Sequence, residues 1–192
     1  MTLDLRMMCL RSFIMTSVSV LLAAAGIPAS EVNNITIEKI FSRLSFRSHF
    51  PHEKELVAKY GGGVVGSADG ERYRIYYLPK NHLWLRLQVD AENRIESPVT
   101  GVLLSKLPLC SERRVPQHEV SEITLRGIRL GEPPRKAEKI FGKPLREYKA
   151  DLGPNRNLTV IEFFPKTLEV GSCVRIYVKD GAIAAFSFSS EK

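Results

Sequence analysis

The feature that most restricts how this chain can fold is a recurring order of elements. The stretch KELVAKYGGG–RYRIYYLP–HLWLRLQVDAENRIESPVTGVLLS can be laid over RKAEKIFGKP–LTVIEFFP–CVRIYVKDGAIAAFSFSS. Each copy reads as a short amphipathic helix stopped by Gly, an aromatic-rich strand ending in Pro, and a two-stranded hairpin. The expected fold class is therefore α+β: two tandem units, each with short helices packed on one face of an antiparallel β-sheet. The first unit would span residues 30–110 and the second 111–192. A unit of about 75 residues buries only a marginal core by itself. Two side by side would relieve that, leaving the other sheet face open.

Local signals agree with this order. Ile37, Ile40, Phe41 and Leu44 are spaced i, i+3, i+4, i+7, an apolar helical stripe. Pro51, Glu53 and Glu55 suit the first turn of a second helix, and Gly61 suits its stop. Pro133-Pro134 opens the helix of the second copy, which carries Ala137, Ile140 and Phe141 before Gly142 and Pro144 end it. In one strand Leu83, Leu85, Leu87 and Val89 alternate with His82, Trp84, Arg86 and Gln88. In its counterpart Val174, Ile176 and Val178 alternate with Cys173, Arg175 and Tyr177, and Asp180-Gly181 is a two-residue hairpin signal.

Residues 1–29 have the form of an export signal. Arg6 and Arg11 supply a positive start, Ser12 to Ala25 a short apolar run, and Ala25 or Ala29 a small-residue cleavage site. The run falls short of the roughly 20 residues a membrane-spanning helix needs, and no later segment is apolar enough to anchor the mature chain. A periplasmic or secreted protein is expected. Cys110 and Cys173 then remain as an even pair in an oxidising compartment, which reads as a disulfide.

The segment GIRLGEPPRKAEKIFGKP, Gly127 to Pro144, resembles the signature of the SmpA/OmlA-type outer-membrane assembly proteins and the related β-lactamase-inhibitor-protein fold. The matching positions are Gly127-Ile128, Ala137, Ile140, Phe141, Gly142 and Pro144; Tyr60-Gly61 is a poorer copy of the stop. The resemblance implies two helices against a four-stranded antiparallel sheet. In tandem it implies a protein that grips a partner enzyme with its open sheet surface. The chain lacks the lipid-anchor cysteine of the assembly lipoproteins.

Chemistry for turnover is scarce. No G-x-S-x-G elbow occurs, His118-Glu119 has no nucleophile beside it, and His49-x-x-His52 lacks further ligands, so neither a catalytic nor a metal site nor a cofactor is expected. An unrecognised hydrolase is the least supported reading. Two surfaces draw attention instead. Arg74, Tyr76, His82, Trp84 and Arg86 alternate outward from two strands expected to be neighbours, giving the open face a partner-binding patch of hot-spot residue types; packing of Trp84 against the neighbouring unit is the plainer alternative. Between Arg126 and Arg156 nine Lys or Arg face four acids, a net +5 out of the chain's +7. There Arg135, Lys136, Lys139, Lys143 and Arg146 form a basic patch, either a solvated helix face or a contact for an acidic protein or anionic envelope surface. Export and the absence of a recognition motif argue against nucleic acid. The functional expectation is a non-enzymatic protein-binding module of inhibitor or immunity type, with a cell-envelope structural or assembly factor as the alternative.

Overall fold

The computed structural model describes residues 37, 41, 52–68, 71–89, 98–120, 122–166 and 172–190. Helix α1 (Glu53–Tyr60) leads into strands β1 (Val64–Ala68), β2 (Glu71–Leu78), β3 (Leu83–Val89) and β4 (Val99–Ser105). A long connection then reaches α2 (Arg135–Phe141), followed by β5 (Arg146–Leu152), β6 (Asn155–Phe163), β7 (Ser172–Lys179) and β8 (Ala182–Ser190). All eight strands belong to one sheet in the order β1-β2-β3-β4-β8-β7-β6-β5.

This overturns the expected fold class. The protein is mostly one eight-stranded antiparallel sheet with two short helices among the described residues, and not two tandem helix-plus-sheet units. The physical reason is the β4–β8 seam. Gly101 to Ser105 pair with Ser189 to Ala185, so each set of strands uses its last strand to satisfy the other's backbone edge. The apolar core follows suit. Residues from both halves of the chain form one cluster on the helix-bearing face, where the Phe41 ring meets Phe186 edge-on at 5.3 Å.

Short-range chemistry explains the elements. Helix α1 carries Glu53 and Glu55 in its first turn and Lys59 in its last, each complementing the helix dipole. It stops at Gly61, whose φ of 83° favours glycine. Ile37 and Phe41 are helical and fully buried, while Ile40, Leu44 and Pro51 lie outside the described residues. The β7–β8 hairpin turns at Asp180 (φ 51°) and Gly181 (φ 77°), the paired positive angles of a type I′ turn.

The second sheet face is not open along its whole length. A second apolar cluster sits there, including Tyr77, Trp84, Leu103, Leu158, Val160 and Tyr177. The β4–α2 connection crosses its end. Asn155 donates to the Pro108 carbonyl at 2.7 Å, Leu109 is buried against the cluster, and Tyr77 N–H donates to the Arg114 carbonyl at 2.8 Å. Gln117 N–H then reaches the Tyr60 carbonyl at 3.0 Å, bringing the chain round to the helix side.

The expected disulfide is not formed: no bridge joins Cys110 to Cys173. The path of the connection explains why. The Leu109 Cα lies 3.0 Å from where a Cβ on Gly153 would sit, which places Cys110 at the β5–β6 turn. Cys173 lies at the far end of β7, beside Val174, whose partner Phe163 is eight residues along β6 from Asn155. At about 3.3 Å per residue the thiols are on the order of 20 Å apart, whereas a bridge needs Cα atoms within about 7 Å.

Candidate functional site

Strand register decides which of the expected site residues meet. Tyr77 pairs with Trp84 and Ile75 with Arg86, and directly paired residues point to the same face. Odd-numbered residues of β2 therefore accompany even-numbered residues of β3. The proposed patch of Arg74, Tyr76, His82, Trp84 and Arg86 is accordingly divided. Arg74 and Tyr76 face the helices: Arg74 bonds Glu53 and the Gly62 carbonyl, and Tyr76 is fully buried and donates to the Gly61 carbonyl at 2.7 Å. Burial pushes the Tyr76 phenol up to about 12. Trp84 is only 4% exposed, its ring tilted at 56° to that of Tyr77 with centroids 5.1 Å apart, beside the crossing connection. His82 is exposed in the β2–β3 turn with Nδ1 2.9 Å from the Tyr77 hydroxyl. Of the five, Arg86 lines the cleft described next.

That cleft lies over the β4–β8 seam on the face away from the helices. Arg86, Leu103, Ser187 and Arg175 are consecutive cross-strand partners, so two arginines flank the seam three strand spacings apart, about 14 Å between backbones. Arg86, Gln88, Gly101, Arg175, Tyr177, Ser187 and Ser189 contribute to its lining, and its volume is about 20 Å³. Gly101 matters sterically: a Cβ there would come within 2.9 Å of the Gln88 amide oxygen.

The charges of the cleft are unequally committed. Arg175 Nε donates to Glu162 at 2.6 Å, and Arg146 Nε donates to the same carboxylate at 2.6 Å. Glu162 is fully buried, and the Tyr148 hydroxyl adds a 3.3 Å bond. Burial alone would raise the Glu162 carboxyl, but the hydrogen bonds and charges of Arg146 and Arg175 outweigh it and hold the group below the usual carboxylate range. Arg86 rests over the Tyr73 ring at 5.4 Å and has no carboxylate partner. The Ser187 hydroxyl makes no hydrogen bond, while the Gln88 amide nitrogen is engaged with Glu71 at 2.6 Å. Among the described residues no acid lines the cleft.

The basic patch is broken up as well. Lys136 bonds Glu132 and the Gly127 carbonyl, each at 2.8 Å, and Arg146 belongs to the Glu162 cluster. Arg135, Lys139 and Lys143 remain exposed without ion-pair partners. Among the described residues no three His, Cys, Asp or Glu side chains converge as metal ligands, and no helix is long and apolar enough to cross a membrane. His49 lies outside the described residues.

Arg175 and Ser187 were not singled out from the sequence, although a signal existed. In the overlay of the two copies Arg86 falls on Arg175, each the outward-facing Arg of the third strand of its set. Comparison with known proteins finds no matching family model, no matching curated protein and no matching solved structure. The likeness to the SmpA/OmlA and β-lactamase-inhibitor-protein folds rests on Gly127 to Pro144 alone.

Proposed function

We propose that this chain is an exported, non-enzymatic binding protein that occludes a protein partner, with the Arg86–Arg175 cleft receiving the tip of one acidic side chain. The observation that carries this reading is a cleft that offers donors and has no acid among the described residues of its lining. Two guanidinium groups flank it, and the free Ser187 hydroxyl lies between them. Guanidinium groups bind carboxylates through short charge-assisted bonds. Size supports the same class of ligand. Small-molecule sites typically enclose about 300–1,000 Å³, whereas about 20 Å³ admits one water-sized group. A side-chain tip delivered by a larger surface suits such a space; a metabolite does not. The export signal expected from residues 1–29 supports a partner among envelope or secreted proteins.

The test is retention of a stoichiometric protein from envelope and secreted fractions, comparing the native protein with Arg86→Ala and Ser187→Ala. Neither residue makes an intramolecular ion pair, so folding should be kept. Affinity for the retained partner should fall at least ten-fold with Arg86→Ala. Unchanged affinity in both variants would refute the cleft as the contact.

A further inference from the structure

Five large apolar side chains are exposed among the described residues, and three of them gather at one corner. Ile140 (38% exposed) sits at the end of α2, Leu145 (64%) just before β5, and Phe164 (40%) just past β6. Their proximity follows from the pairing. Leu145 N–H donates to the Glu162 carbonyl at 2.8 Å, which sets residues 144 and 145 beside Phe164 and Phe163. The Phe141 ring packs 5.7 Å from Phe163, which brings the end of α2 down onto the same strand end. Arg146 pairs with Glu162, so the register puts Leu145 on the helix side and Phe164 on the other. The apolar groups thus form a projecting tip at the strand ends and no groove.

Lysines surround this tip. Lys139, Lys143 and Lys166 are exposed and make no ion pair. Among the described residues Glu138 and Glu147 are the nearby acids without an arginine partner, so the three lysines leave an excess of one positive charge. Unprotected apolar side chains normally cost solubility. Together with flexible cationic stems they suit a soft, negatively charged interface, into which the apolar groups insert while the ammonium groups stay at headgroup level.

We propose that this corner is a contact site for an anionic lipid surface, separate from the sheet-face cleft and independent of its function. A lysine near an anionic leaflet contributes about five-fold in partitioning. Lys139→Gln combined with Lys143→Gln should therefore weaken binding of the mature protein to phosphatidylglycerol-containing vesicles about twenty-five-fold. Vesicles of phosphatidylcholine alone should retain little protein, and high salt should release the rest. Leu145→Trp supplies a direct reading of insertion, because the sole native tryptophan, Trp84, is buried elsewhere. Its emission should shift to the blue on phosphatidylglycerol vesicles. Three results would overturn the proposal: no partitioning onto those vesicles, partitioning indifferent to salt and to both lysines, or binding without a blue shift. The last would mean adsorption by charge alone, as to an acidic protein or polysaccharide.

Discussion

Glu162→Gln tests the electrostatic support of the cleft. The substitution keeps the side chain's size and one acceptor oxygen but removes the negative charge that Arg146 and Arg175 share. Breaking a fully enclosed ion pair costs about 3–5 kcal/mol, because the surviving charge stays buried. Here Glu162 is fully buried while Arg175 is 23% exposed, so water takes up part of the loss. The expected cost is about 2–3 kcal/mol, which for a domain of this size lowers Tm by about 4–12 °C. The pH dependence has a definite sign. The folded carboxyl titrates below its unfolded value of about 4.3. Its contribution is therefore complete above that pH and is lost as the pH falls through the lower folded value. Urea denaturation of the native protein and the Gln variant should show the full gap at neutral pH and a shrinking one below about pH 4. A gap under about 0.5 kcal/mol at neutral pH would refute the reasoning. So would one that persists unchanged into strong acid, since the loss would then come from packing and not from charge.

Three further outcomes follow from the geometry. Trp84→Ala should cost about 3–5 kcal/mol in urea denaturation, because Trp84 is a core residue packed on Tyr77, whereas Arg86→Ala should cost less than about 1. Gly153→Ala should destabilise by about 1–3 kcal/mol, because φ is +59° and the new Cβ would meet the Leu109 carbonyl oxygen at 2.6 Å. Gly181→Ala, at φ +77° with nothing near its Cβ, should cost only the backbone term of about 1 kcal/mol and serves as the control. Peptide mapping without reductant should recover Cys110 and Cys173 as separately alkylated thiols; a cross-linked peptide would contradict the separation of their strands.

Where a rule acts between neighbours in sequence, the fold was legible in advance. Gly61 and Gly142 end their helices, Asp180-Gly181 turns its hairpin, and the alternation within β3 and within β7 matches the faces observed. Alternation fails at the next level because it sorts residues within a strand and says nothing of which set a neighbouring strand places alongside. Strand β2 gives no help, since it carries Tyr73 and Tyr77 on one face and Tyr76 on the other. A strand with aromatics on both faces has no single register that its hydrophobic pattern demands. The β2–β3 loop settles the matter. Pro79 to His82, with His82 at φ 53°, pairs Leu78 with Leu83 and so sends Arg74 and Tyr76 to the helix side.

The cleft was hidden for a related reason. Arg86 and Arg175 are distant in sequence, and each strand taken alone shows an ordinary outward arginine. They become one site only because β4 and β8 pair and set Leu103 opposite Ser187. The same pairing that defeats the reading of two separate sheets creates the positive seam. It also gives the two arginines different surroundings: Arg175 is braced by Glu162, while Arg86 has only the Tyr73 ring beneath it. Of the two, Arg86 can reorient toward a ligand without breaking an ion pair. Losing Arg86 should therefore act on binding and spare folding, whereas losing Arg175 should injure both, by leaving Glu162 buried with one partner fewer.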